Sequence, residues 1–199
     1  MPQNLYAKKI MDEGLLGDIT LMRVRNAHNG TSKNWLPAHF YDIVSCCGGA
    51  MMDLGAHPMY LVRWLMGKPK TMQSTFTNVY GKPVEENAVC VMAYDNGAIA
   101  ISETSFVSER GSPFSLELYG TEGTLMVGSN QAFLSTTKET AYEGKVEEYP
   151  EALPGPIPMF IAGVTKDEPI IFDIEEAVAL TEMMDAAYSS HKQGKKVLL

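Results

Sequence analysis

The sequence is poor in the groups that staple small proteins and in the charge that binds polyanions. It holds three cysteines, Cys46, Cys47 and Cys90, an odd number of which two are neighbours. That spacing suits neither a disulfide framework nor a C-x-x-C zinc site, so the thiols are read as reduced and mostly buried. A reactive Cys46 and Cys47 pair beside an active site is the alternative. Lys and Arg total 16 against 24 Asp and Glu, for a net charge of -8. Nucleic acid and anionic membrane surfaces need clustered positive charge to displace counterions, which argues against both as partners. Also absent are an apolar run of the ~18 to 20 residues that a bilayer span requires and a basic-then-apolar leader. A cytoplasmic protein is expected.

What is present is an ordinary globular composition, 45% hydrophobic and 20% charged over 199 residues. A chain of this size buries roughly 70% of the surface that its unfolded form exposes, enough for a core without a metal or disulfide staple. One domain is expected over residues 1–199.

Pro2 to Glu13 reads as a helix with proline in its first turn, stopped by Gly14. Ile19 to Ala27 is a strand candidate, followed by an aperiodic polar stretch from His28 to Ser45, and a loop of that length suggests function. Ala50 to Met66 has helical character between Gly48-Gly49 and Gly67-Lys68-Pro69. Pro58 inside it removes a donor and presses on the Leu54 carbonyl, which predicts a kink over residues 54–58. From Thr71 the pattern becomes strands: 71–80, 88–94, 98–106, 114–119 and 124–127, with weaker runs at 131–136 and 143–149, and turn sequences such as Asp95-Asn96-Gly97 predict antiparallel hairpins. A short helix is expected at 159–163. A long one starts at Asp173, which with Glu176 forms a capping pattern, and runs on an apolar stripe of Ile174, Ala177, Val178, Thr181, Met184, Ala187 and Tyr188 to Gly194, with His191 and Lys192 complementing its C-terminal dipole.

Strand runs flanked by helices indicate an α+β fold: a large, mostly antiparallel sheet with helices on one face. Ala88, Cys90, Met92 and Tyr94 alternate with Val89, Val91 and Ala93, so both sheet faces are apolar there and both are expected to be covered. A second subunit, giving a homodimer or homotetramer, is the preferred cover for the other face; helices or terminal segments wrapping round are the alternative.

The stretch most able to carry chemistry is Gly48-Gly49-Ala-Met-Met-Asp53-Leu-Gly55-Ala-His57. Residues four apart share a helix face, so Asp53 and His57 can address one point, as a carboxylate that orients an imidazole suited to proton transfer near neutral pH. The glycines let a ligand or another backbone come close. In the preceding loop, Trp35, His39, Tyr41 and Asp42 are candidates to line a polyol pocket, Trp35 and Tyr41 foremost, since aromatic faces stack on sugar rings. Arg63 and Trp64 are read as structural. His28, His39, His57 and Asp53 have ligand chemistry but no spacing that requires a metal, and none is expected.

These motifs resemble the glucose-fructose oxidoreductase and inositol dehydrogenase family (Gfo/Idh/MocA), whose signature is a glycine run, D-x-G-x-H, and an apolar helix ending W-L-x-G. The resemblance extends over Asp12 to Ile19, over Glu86-Asn87-Ala88 with Tyr94 to Ala98, over Leu118 to Leu125, and over Asp173 to Leu199. It implies hydride exchange between NAD or NADP and a hydroxyl-bearing carbon of a sugar, inositol or other diol. By the same resemblance His57 is the acid/base on the reacting oxygen, and Asp53 is its partner and a substrate hydrogen-bond acceptor. The family's first half, a Rossmann domain with a Gly-rich turn and a Glu-Lys-Pro segment, has no counterpart here: no G-x-G-x-x-G occurs, and Lys82-Pro83 follows Gly81 at a strand end. The chain therefore reads as the C-terminal half, with no nucleotide bound by it and no activity expected from it alone. A stand-alone binding or assembly protein and a small metal-dependent hydrolase are the competing readings.

Overall fold

The fold, taken from a computed structural model, is described for residues 1–109, 114–129, 131–138 and 142–199. Helix α1 (Pro2–Asp12) leads into strand β1 (Ile19–Ala27). The stretch after it is not wholly aperiodic, since it contains a 3-10 turn (Ala38–Tyr41) and the short helix α2 (Ile43–Cys46). Helices α3 (Ala50–Asp53) and α4 (Ala56–Met66) follow. Strands β2 (Thr71–Thr77), β3 (Asn87–Ala93), β4 (Ile99–Ser105), β5 (Phe114–Gly120), β6 (Gly123–Gly128), β7 (Ala132–Thr136) and β8 (Tyr142–Lys145) come next. Helices α5 (Pro156–Lys166) and α6 (Ile174–Gln193) and the short strand β9 (Val197–Leu198) close the chain.

The strands form one sheet of nine in the order β8-β7-β6-β5-β1-β4-β3-β2-β9. The expected antiparallel hairpins form between β2 and β3, β3 and β4, β5 and β6, β6 and β7, and β7 and β8, but β4 and β5 do not pair with each other. β1 inserts between β5 and β4 and runs parallel to β4, with Val24 opposite Ser102. Hairpin sequences specify local pairing, whereas β1 is separated from its neighbours by the whole helical segment and finds them through tertiary packing. β9, pairing with β2, adds an edge that the tail sequence did not announce.

One face of the sheet carries the core. Met22, Val24, Met92, Leu116 and Leu118 point into it and are fully buried. They meet Ala7 and Ile10 of α1, Met59 and Val62 of α4, and Met183 and Ala187 of α6 in a single cluster. α6 also satisfies the edge of β2 where β9 is too short to reach. Ser190 Oγ accepts from Ser74 N at 3.0 Å and His191 Nδ1 from Phe76 N at 3.3 Å, with the His191 ring stacked on Phe76. These bonds serve an edge that would otherwise carry unpaired donors.

The other face is open. Val89, Val91 and Ile99 are about 40% exposed there and Met126 and Phe133 nearly half. Among the described residues no helix or terminal segment wraps over it. A polar seam crosses it, Glu103 reaching Arg23 at 2.8 Å and Arg25 at 4.0 Å. α5 spans eleven residues rather than the five expected, because Pro156 and Pro158 sit in the first turn, where missing N–H groups cost nothing. The stripe predicted along α6 is buried only in its second half: Met183, Met184, Ala187 and Ser190 are inside, while Ile174 and Val178 are 70% and 52% exposed.

Candidate functional site

The glycine run opens the Asp53 helix because something must come close to it. Glu85, itself buried, accepts at the α3 amino terminus from Gly49 N (2.9 Å) and Met51 N (3.0 Å) with one carboxylate oxygen, which also accepts from the Tyr188 hydroxyl at 2.7 Å. The Glu85 carbonyl takes Ala50 N at 2.9 Å. A side chain on Gly49 would come within 2.2 Å of that carbonyl, and one on Gly48 within 2.0 Å of the Tyr188 oxygen. The glycines thus admit the protein's own backbone and side chains. Burial and the adjacent Glu85 carboxylate push the Tyr188 phenol far above its ordinary value, so it stays a donor.

The predicted kink is a break. Pro58 cannot donate to Leu54, and the Leu54 carbonyl instead accepts from His57 N at 3.2 Å and from the Asn26 side chain at 3.4 Å. Upstream, Leu54 N and Gly55 N both donate to Ala50 O at 3.0 Å, so one turn is widened by a residue before α4 begins. Among the described residues no hydrogen bond joins the Asp53 and His57 side chains, and the two line different hollows.

His57, exposed, stands at a cavity of about 640 Å³ with Asn26, Tyr60, Trp64, Phe114 and Phe172 among its lining. The wall is mostly aromatic and aliphatic, so its few polar atoms decide orientation. Tyr60 stands edge-on to Phe172, and its hydroxyl is buried with no hydrogen-bond partner among the described residues. Burial, then the charges of Glu176 and Asp173, raise its pKa, keeping it a neutral donor. Arg63, one turn on, has its guanidinium 3.3 Å from Glu176 of α6. Trp64, read as structural, lines the cavity as well as packing against the core.

Asp53 lies instead in a smaller hollow of about 180 Å³ with Phe40, Cys46 and Gly48. The imidazole within its electrostatic reach is His28. That ring stacks on Phe106 at 5.0 Å and tilts against Trp35 at 4.7 Å, and its Nδ1 accepts from Gly30 N at 3.0 Å. Burial lowers the His28 pKa, with Asp53 opposing, and the accepting Nδ1 leaves the proton of the neutral ring on Nε2.

Trp35 is 53% exposed, its indole N–H held by Asn29 at 2.9 Å. The Tyr41 hydroxyl is 2.9 Å from Thr31 Oγ1, its ring lies 4.5 Å beneath the Lys82 ammonium, and it packs on the small cluster of Leu36, Ala50 and Phe106. Neither lines the His57 cavity, and Trp35 packs on His28, which feels the Asp53 charge. His28, Asn26 and Tyr60 were not singled out for these places by sequence. The 57, 60, 64 helical spacing was the one signal available for Tyr60.

Among the described residues, no group of three or more His, Cys, Asp or Glu gathers as a metal site would require, and no helix is long and apolar enough to cross a membrane. Cys90 is buried, its thiol pushed up to about 12 by burial, whereas Cys46 is half-buried and Cys47 exposed.

Comparison with known proteins gives concordant results. The family model described as the GFO/IDH/MocA C-terminal domain matches residues 4–126. A D-xylose 1-dehydrogenase (NADP(+)) of Haloferax volcanii is 27% identical over 161 residues, 76% of this chain and 48% of that protein. YrbE of Bacillus subtilis, described as an uncharacterized oxidoreductase, is 27% identical over 128 residues, 58% of this chain and 34% of its own length. The chain thus spans half or less of the curated relatives it matches. Among solved structures, levoglucosan dehydrogenase in complex with NADH and levoglucosan superposes with a TM-score of 0.85 at 16% identity, covering 99% of this chain and 63% of that one. An NAD binding oxidoreductase from Klebsiella pneumoniae gives 0.85 at 17% identity, covering 100% and 63%. At such identities the structures establish the fold.

Proposed function

The chain belongs to the GFO/IDH/MocA family through its C-terminal domain, and from that premise we propose that it is the substrate-handling half of an NAD(P)-dependent oxidoreductase. The reaction acts on a hydroxyl-bearing carbon of a sugar, polyol or diol, consistent with relatives named as sugar dehydrogenases. The observation that carries this reading is an exposed imidazole, His57, fixed at a helix break beside a cavity large enough for a monosaccharide.

His57 takes the proton from the substrate hydroxyl as the carbon is oxidised, and returns it in the reverse direction. Tyr60 donates and Asn26 donates or accepts at the same cavity. Asp53 accepts a neighbouring hydroxyl from the far side of the widened turn. Trp35 and Tyr41, which stand outside the His57 cavity, contact the part of the substrate that extends beyond it, Trp35 through its exposed face.

The nucleotide does not fit these residues. The helix entrance that follows the glycine run Gly48-Gly49 is filled by the Glu85 carboxylate, which repels a pyrophosphate where a Rossmann turn would attract one. We therefore assign NAD or NADP to another domain of the same enzyme, and this chain alone is expected to be inactive. Its surroundings are assigned as cytoplasmic, in keeping with three free thiols. The open face of Val89, Val91 and Phe133 supports a homodimer or homotetramer through the sheet.

The test is an NMR titration of this chain with D-xylose and levoglucosan. The His57 ring resonances shift saturably and the His191 resonances stay put, and the sugar-dependent shifts at neighbouring residues vanish in His57→Ala. Shifts confined to surfaces away from His57 would remove this site from substrate binding.

A further inference from the structure

Buried polar atoms without partners gather around the His57 cavity. Asn4 Oδ1 of α1 and the Tyr60 hydroxyl of α4 have no hydrogen-bond partner among the described residues, and both residues line that cavity. Within electrostatic reach of Tyr60, Arg63 Nη2 meets Glu176 Oε1 at 3.3 Å, which leaves Arg63 Nε and Glu176 Oε2 buried and unpartnered as well. An unpaired buried polar atom is costly, so a wall that holds several suits a partner that the chain itself does not supply.

The two such atoms on the cavity wall differ in what they need. The Asn4 oxygen only accepts, whereas the Tyr60 phenol, kept neutral, has a proton to give. A hydroxyl meets both needs, since it donates and accepts. A carboxylate has no proton for Asn4, and an ammonium leaves the Tyr60 proton without an acceptor. Charge points the same way. Among the described residues no Lys, Arg, Asp or Glu lines the cavity, and the field at the Tyr60 hydroxyl comes from two carboxylates, Glu176 and Asp173, against the single guanidinium of Arg63. An anion entering here loses its water without meeting a counter-charge. Trp64, Phe114 and Phe172 offer apolar faces to the C–H side of a ring, which leaves its hydroxyls for the polar atoms.

We propose that Tyr60 and Asn4 are specificity-determining residues that hold hydroxyls other than the reacting one, and that the cavity takes an uncharged sugar or polyol and rejects the corresponding sugar acid. The proposal rests on the functional reading above and narrows its substrate class.

D-glucose, D-glucuronamide and D-glucuronate test it, because they share a ring and its hydroxyls and differ at the carbon outside it, as an alcohol, a neutral amide and an anion. Each is titrated into the full chain at pH 7, and its dissociation constant is read from the His57 ring resonances. The two neutral sugars are expected to bind alike and D-glucuronate about tenfold or more weaker. Tyr60→Phe and Asn4→Leu, each checked as folded by its amide spectrum, are expected to weaken D-glucose about three- to tenfold. For one of the monodeoxy-D-glucoses the loss caused by Tyr60→Phe disappears, because the hydroxyl that Tyr60 held is gone. D-glucuronate binding as tightly as D-glucose overturns the proposal. So does a Tyr60→Phe variant that leaves every constant unchanged, which would mean that these atoms hold only water, or one that weakens every sugar alike, which would make Tyr60 structural. The absence of a saturable His57 shift with any of the three sugars is a separate result: it overturns the functional reading, and this proposal with it.

Discussion

The two halves of α6 both carry apolar residues, but on opposite faces of the helix, and those residues meet different fates. From Met183 to Ser190 the helix is sealed against β2 and α4, with Met183 1% and Ala187 0% exposed. From Ile174 to Val178 the same kind of residue stands in solvent beside α5. The sealed face completes this chain's own core, whereas Ile174 and Val178, on the opposite face, join the exposed apolar surface of α5. Periodicity therefore reports where a helix is meant to be covered without saying by what.

Substitutions separate the halves most sharply. Met183→Ala should lower unfolding stability by about 2 to 5 kcal/mol through the lost burial and the cavity left behind. Val178→Ser should stay within about 0.5 kcal/mol. Urea denaturation of the two variants checks this, and equal losses would erase the distinction. Next in size is the anchor of the Asp53 helix. Glu85→Ala strips the acceptor from two buried backbone N–H groups and the Tyr188 hydroxyl, at a cost of about 3 kcal/mol, with Glu85→Gln recovering part of it. A cost below about 1 kcal/mol would mean that the Gly48-Gly49 entrance does not depend on this carboxylate.

A smaller effect separates His28 from the solvent-facing residues around it. Its folded pKa lies below the ordinary value, so the unfolded chain binds the proton first. Its contribution is fully present above about pH 6.5 and is lost as pH falls through that value toward the folded pKa. His28→Gln should flatten the acid limb of stability against pH over that window, and an unchanged limb would assign it to other groups. Smallest is a labelling contrast that leaves the fold untouched. Iodoacetamide at pH 8 should modify Cys47 while sparing Cys90, whose buried thiol is pushed up to about 12. Labelling of Cys90 at the same rate would show that the helix-covered side of the sheet opens readily.

Much of the fold was legible because its signals are local. Pro2 and Gly14 mark the ends of α1, Asp95-Asn96-Gly97 turns β3 into β4, and Asp173 caps α6 through Glu176 N at 3.0 Å. The parallel placement of β1 beside β4 was not legible, since nothing adjacent in sequence encodes it. At the candidate site, Asp53 and His57 could be named, but not their separation. Pro58 foretold a disturbance near Leu54, and only the double donation to Ala50 O shows that the turn widens there. The glycine run was legible as a place of close approach, while Glu85 and Tyr188, which make the approach, come from distant parts of the chain.

The most direct test of the central claim, that this chain handles substrate and leaves the nucleotide to another domain, is a calorimetric titration with NADH and NADPH. The account predicts no saturable heat up to millimolar nucleotide. Saturable binding would place nucleotide recognition within these residues and contradict it.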